Sequence, residues 1–228
     1  MKLLIAEIGN NHFGDIELYK EHIAAAIESG ADLVKGQAFK AVDLTGGSMD
    51  PSFYSKCQLD EEILIELIRY ARLLGGDMFF SIFSSGFKEL KKFQKWDKYS
   101  ASQVEKMATP ELISRDKRRV IMSVPKGKYV PHLRYANLLH VSDYLTDRPN
   151  LKRIKEMRTV LGKPIGYSDH TIGIQACLTA ISDYGSNIIE KHFTLEKSKE
   201  WRGVVFRDTV HGCLPDELKE IAKELKEG

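Results

Sequence analysis

Short apolar runs alternate with longer amphipathic stretches from one end of the chain to the other. The runs read as strands at Leu3–Ile8, Asp32–Lys35, Met78–Ile82, Lys98–Ala101, Val120–Ser123, Asn137–Val141, Pro164–Tyr167 and Asn187–Lys191. Helical spacing marks Ile16–Ser29, Asp60–Leu74, Phe87–Phe93, Pro110–Arg115, Asn150–Leu161, Ile172–Tyr184 and Pro215–Lys226. In the first of these helices Leu18, Ile23, Ala26 and Ile27 share a face, and Gly30 supplies the cap. The last opens Pro215-Asp-Glu, with proline and acids in the first turn.

About eight strands, each followed by a helix, predict an α/β fold of the (β/α)₈ TIM-barrel type. An open doubly wound sheet has the same local alternation. No glycine-rich dinucleotide or P-loop fingerprint sits at a strand end. At 228 residues the barrel is compact, and residues 1–228 read as one barrel domain. Between Pro125 and Ala136 two prolines and a glycine leave no room for a useful helix, so the fifth helix is expected to be missing or degenerate.

In such a barrel the chemistry comes from the C-terminal ends of the strands. Those ends supply Glu7, Asn11 and His12; Lys35 and Gln37; Ser81 and Ser84; Lys98 and Gln103; Ser123 and Lys126; Ser142 and Tyr144; Ser168 and His170; Glu190 and His192. The set is polar and mixed in charge. Lysines closing apolar strands are costly to bury unless a carboxylate or a bound anion compensates them, so Lys35 and Lys98 suggest a phosphate or carboxylate ligand. Two rim lysines in solvent are the plainer alternative. Glu190 lies two residues before His192, on the same side of a regular strand, where it would support a metal site or pair with a lysine. Glu7 would orient a hydroxyl, serve as acid or base, or form a salt bridge to a strand-end lysine. Asp208 follows the last strand in a loop that reaches the mouth.

His170 and His192 close consecutive strands, so both imidazoles are expected to face one cavity, as a divalent transition-metal site requires. One such histidine alone would more simply hydrogen-bond at its strand end.

Composition narrows the class. Thirty-four basic and 32 acidic residues leave a net charge of +2, without a nucleic-acid or membrane signal. Hydrophobic residues at 43% and charged residues at 29% are ordinary for a soluble domain. Glu7 interrupts the N-terminal apolar run, which reads as a strand and not as a targeting segment. Three scattered cysteines, Cys57, Cys177 and Cys213, argue against a disulfide framework and for a reducing, cytoplasmic setting.

Several segments resemble the sialic acid synthase family, N-acetylneuraminate synthase and its legionaminic and pseudaminic relatives. They are Ala6-Glu-Ile-Gly-Asn-Asn-His-Phe-Gly-Asp15, Gly30-Ala-Asp-Leu-Val-Lys-Gly-Gln-Ala-Phe-Lys40, Gly166-Tyr-Ser-Asp-His-Thr171 and Ile189-Glu-Lys-His-Phe-Thr-Leu195, with weaker likeness elsewhere in the same order. The resemblance implies condensation of phosphoenolpyruvate with the open-chain aldehyde of an N-acylated, N-acetylmannosamine-like sugar, giving a nonulosonic acid and phosphate. It implies a divalent metal at His170 and His192, usually manganese, with magnesium or cobalt as substitutes. It assigns Lys35, Lys98 and Ser168 to phosphoenolpyruvate. Glu7, Tyr144 and Asp208 fall near the reacting centre, and Gln37, Gln103 and Ser142 among the substrate-binding positions.

The chain also departs from that pattern. Gln103 stands where an acid is usual, and a glutamine carries no proton at neutral pH. Ser142 replaces a more usual asparagine. Thr209 stands where a histidine is frequent. The sequence stops before the antifreeze-like domain that many members carry, so a short form is expected, and a homodimer by likeness. Two other classes remain open: a non-catalytic sugar- or metal-binding barrel or accessory subunit, and a Schiff-base barrel aldolase using Lys35 or Lys98.

Overall fold

A computed structural model describes residues 1–44, 51–106, 119–124, 136–143 and 146–227. Eight parallel strands close into a barrel in chain order: β1 Leu3–Gly9, β2 Leu33–Ala38, β3 Met78–Ile82, β4 Trp96–Tyr99, β5 Arg119–Val124, β6 Asn137–Val141, β7 Ile165–Asp169 and β8 Ile188–His192. The sheet is closed, so the open-sheet alternative falls away. Helices α1 Ile16–Glu28, α2 Pro51–Cys57, α3 Glu61–Leu73, α4 Lys88–Phe93, α5 Ala101–Lys106, α6 Lys152–Leu161, α7 Gln175–Ser182, α8 Arg207–Val210 and α9 Pro215–Glu227 accompany it, with a short hairpin of β9 Glu200–Trp201 and β10 Val204–Val205. None of the described helices is long and apolar enough to cross a membrane.

The expected elements return with small shifts, and one correction is informative. The fourth strand covers Trp96–Tyr99, not Lys98–Ala101, and Ala101 already opens α5. The run Lys95-Trp-Asp-Lys looks polar along the chain. On a strand, however, Trp96 enters the barrel interior, while Asp97 faces outward and accepts a hydrogen bond from Gln94 at 3.3 Å. The hairpin, α2 and α8 carried no periodic signal. The expected Pro110–Arg115 helix lies outside the described residues, as does nearly all of Pro125–Ala136, so the fifth-helix expectation falls there too.

The interior is built in layers by the two-residue period of the strands. Leu3, Ile5, Leu33, Phe79, Trp96, Ile121, Leu139 and Ile188 form one apolar cluster that plugs the barrel. On β7 the inward position is Gly166. A Cβ there would lie 2.4 Å from the Leu139 side chain and 2.7 Å from the Ile188 carbonyl oxygen, so its absence makes room for the plug. Two residues further along the strands the inward side chains become Glu7, Lys35, Ser81, Lys98, Ser123, Ser168 and Glu190. All of these are buried, above an apolar floor. The outward faces of the strands pack on the helices in a second, larger core that includes Leu4, Val34, Phe80, Met122 and Tyr167.

Two features of this outer shell generate tests. Gly36 on β2 faces Tyr19 of α1, and a Cβ would come within 2.0 Å of the Tyr19 hydroxyl and 2.8 Å of the Phe80 ring. Gly36→Ala should therefore cost about 1–3 kcal/mol in urea unfolding, as overpacking does. His12 and His22 are both buried, His12 stacked on Tyr19 with ring centroids 4.3 Å apart. His22 Nδ1 lies 2.7 Å from the Leu18 carbonyl, and its Nε2 accepts from Leu195 N at 3.4 Å. Burial lowers the pKa of His12 to about 3 and of His22 to about 4. The unfolded chain takes up these protons near pH 6.5, before the folded chain does, so the two imidazoles erode stability as pH falls from about 6.5, His22 to about pH 4 and His12 to about pH 3. His22→Gln should shrink the stability difference between pH 7 and pH 5 measured by urea unfolding. An unchanged difference would refute this account.

Candidate active site

Barrel register brings the polar layer together. Glu7 pairs across β1 with Lys35 on β2 and with His192 on β8, and Ser168 on β7 lies beside Glu190 on β8. A cavity of about 280 Å³ opens at the C-terminal mouth, lined among others by Glu7, Lys35, Gln37, Lys98, Ser168, Glu190, His170 and His192. A larger cavity of about 440 Å³ beside Thr146, Asp147 and Gln175 contains none of the lysines or imidazoles, so the smaller one is the candidate site.

Glu190 organises the floor. Its Oε1 lies 3.1 Å from Lys35 Nζ and accepts from Ser168 Oγ at 3.0 Å, while its Oε2 lies 2.9 Å from Lys98 Nζ. Lys98 also donates to Ser123 Oγ at 2.9 Å, and Lys35 makes a second ion pair with Glu7. Glu7 is held in turn by the Gly9 backbone N–H, which donates to its Oε1 at 2.7 Å. Burial alone would raise the Glu190 pKa, but the two ammonium groups outweigh it and hold the carboxyl below its usual range. Burial brings Lys35 down to about 8, against the pull of Glu190.

The imidazoles stand beside this floor. His170 and His192 have ring centroids 5.4 Å apart. Ser142 holds His170 from two sides: its Oγ accepts from the His170 backbone N–H at 2.8 Å, and its carbonyl lies 3.2 Å from His170 Nδ1. His192 Nδ1 lies 4.0 Å from Asp208 Oδ2, which is beyond hydrogen-bond reach. Burial lowers His170 to about 4 and His192 well below its ordinary value, so both imidazoles are neutral near neutral pH. Burial raises Asp208 to about 7. Nitrogen and carboxylate donors of this kind suit a divalent first-row metal. Gly9, at φ +56°, adopts a left-handed conformation that a side chain would strain, at a turn beside Asp208, Glu7 and His192.

Of the candidate residues, Glu7, Lys35, Gln37, Lys98, Ser168, His170 and His192 line one cavity. Asp208 adjoins His192, and Ser142 sits behind His170. Gln103 is placed apart from them. Its Oε1 accepts from Ser100 N at 2.9 Å and its Nε2 donates to the Ile82 carbonyl at 2.8 Å, so it ties together the loops after β3 and β4. Tyr144 lies outside the described residues. His211, which the sequence reading passed over, is fully buried beside His192, with ring centroids 4.6 Å apart. Its three-residue spacing from Asp208 was the available signal.

A closed parallel barrel with ion-paired lysines, a carboxylate floor and facing imidazoles at its C-terminal mouth defines a barrel enzyme. The NeuB family model matches residues 136–227. The N,N'-diacetyllegionaminic acid synthase of Legionella pneumophila is 30% identical, over 98% of this chain and 71% of its own length. An uncharacterized protein of Methanocaldococcus jannaschii is also 30% identical, over 98% of this chain and 69% of its own. The chain belongs to the NeuB family. The crystal structure of an N-acetylneuraminic acid synthetase from Leptospira borgpetersenii shares the fold, with a TM-score of 0.86 at 23% identity over 99% of this chain and 83% of that one.

Because Glu190 is, among the described residues, the carboxylate that pairs with Lys98, and shares Lys35 with Glu7, Glu190→Gln should cost about 3–5 kcal/mol in urea unfolding near neutral pH, the usual consequence of stranding buried charge. A loss below about 1 kcal/mol would mean that the lysines find other compensation.

Proposed function

We propose that this chain condenses phosphoenolpyruvate with the open-chain aldehyde of an N-acylated amino sugar, giving a nonulosonic acid and phosphate. The observation that carries the reading is the pair of buried ammonium groups converging on Glu190, beside His170 and His192 in one cavity. Two cations on a dry floor match a small substrate that carries both a phosphate and a carboxylate. The names of the relatives, synthases of sialic-type acids, point the same way.

Lys35 and Lys98 bind the phosphate and carboxylate of phosphoenolpyruvate, with Ser123 and Ser168 adding hydroxyls. Glu190 pairs with both lysines and orients them before substrate arrives. Glu7 orients the incoming sugar from the β1 side, and Ser142 holds His170 in register. His170 and His192 would hold a divalent metal, manganese first, with Asp208 adjoining, and that metal would supply Lewis acidity for the aldehyde oxygen. The new bond joins the methylene carbon of phosphoenolpyruvate to the aldehyde carbon. Water adds to the former enol carbon, whose bond to the bridging oxygen breaks as phosphate leaves.

One observation favours a second reading. Lys35, brought down to about 8 by burial, resembles a Schiff-base amine. Its ion pairs with two carboxylates oppose this, because they hold it as ammonium.

Phosphate release should require manganese, phosphoenolpyruvate and an N-acyl amino sugar together, and His170→Ala or His192→Ala should lower it by about 10²-fold or more. Silence across a panel of mannosamine-type and bacillosamine-type sugars, with phosphoenolpyruvate and metal both bound, would make this a non-catalytic barrel. Borohydride trapping of Lys35 with a keto acid would favour the aldolase instead.

A further inference from the structure

The segment 206–213 is fixed against the end of β8 on both sides. Phe206 is buried against Phe53, with ring centroids 4.7 Å apart, in a cluster with Phe13 and Phe39. Beyond α8 the chain returns alongside β8: Cys213 N donates to the His192 carbonyl at 2.7 Å, and Thr194 N to the Cys213 carbonyl at 3.0 Å. Gly212 permits this approach, since a Cβ there would lie 2.9 Å from the Asp208 carbonyl oxygen and 3.0 Å from Thr194. Anchored in this way, His211 points its ring at the two strand-end imidazoles.

The three rings form a triangle with centroid separations of 4.6 Å (His192–His211), 5.4 Å (His170–His192) and 5.7 Å (His170–His211). An imidazole bound to a metal through nitrogen places its ring centre roughly 3.2 Å from the ion. Three such rings, at bond angles of about 90–125°, have centres about 4.5–5.7 Å apart. Asp208 spans the same space, with Oδ2 4.0 Å from His192 Nδ1 and Oδ1 3.9 Å from His211 Nε2. Both gaps are too long for hydrogen bonds and suit two ligands that share one ion. The ligand atoms of His192, Asp208 and His211 all lie within 4.8 Å of one another.

We propose that His211 is a third imidazole ligand, so that His170, His192 and His211 with Asp208 form a three-histidine, one-carboxylate site for a divalent transition metal. This rests on the metal-binding half of the reading above. A donor set this rich in nitrogen favours cobalt or zinc over magnesium.

The test uses the full chain, stripped of metal and titrated with Co²⁺ without phosphoenolpyruvate or sugar. X-ray absorption of the Co²⁺-loaded parent should count three imidazoles, a result that needs no variant. His211→Ala and His211→Gln, checked for folding by circular dichroism, should each weaken Co²⁺ binding at least about tenfold and alter its visible d–d bands. Two imidazoles in the parent, or folded variants with parental affinity and spectrum, would overturn the proposal. Absence of Co²⁺ binding by the parent would overturn it together with the metal half of the synthase reading. Absence of phosphate release, with three imidazoles counted, would overturn the synthase reading alone.

Discussion

Everything at the mouth of this barrel depends on Glu190 being compensated. The residue stands above an apolar plug, with Lys35 and Lys98 both within 3.1 Å of its carboxylate. Removing Glu190 would leave Lys98 without the carboxylate it pairs with, and Lys35 with Glu7 alone. Together Glu190 and the two lysines form a rigid polar floor whose positive ends are already aimed at the cavity, so an anionic substrate meets preorganised partners and not mobile side chains.

The same constraint explains the division of labour around the barrel. Positions that fill the plug, such as Phe79, Trp96 and Ile121, are followed two residues later by Ser81, Lys98 and Ser123. Strand period converts a stability layer into a chemical layer in one step. Loops beyond the strands then add the imidazole side of the site. Ser142 fixes His170 from behind, and the segment from Phe206 to Cys213 brings Asp208 and His211 over His192. The lysine floor suits an anion and the imidazole wall suits a metal, and Glu190 and His192, two residues apart on β8, join the two sides of the cavity.

Much of this was legible along the chain because both the fold and the site obey short-range rules. Helical spacing and apolar runs located most elements, and the strand-end rule picked out Glu7, Lys35, Lys98, Ser168, His170, Glu190 and His192. What escaped depends on partners distant in sequence. Trp96 hid the start of β4 because a lone aromatic among charged residues has no period. The backbone partners of the Gln103 amide, Ser100 and Ile82, are likewise set by the fold and not by local sequence. His211 sits in a loop, and only the pairing of Cys213 with the end of β8 brings it to His192.

The central claim is that the lysines held by Glu190 are the anion site. Calorimetric titration of phosphoenolpyruvate into the manganese-loaded parent and a folded Lys98→Met variant tests it most directly, with no sugar present. The account predicts binding by the parent and at least about a tenfold weaker affinity for the variant, the loss of one charge-assisted contact. Equal affinity in the two proteins would contradict it.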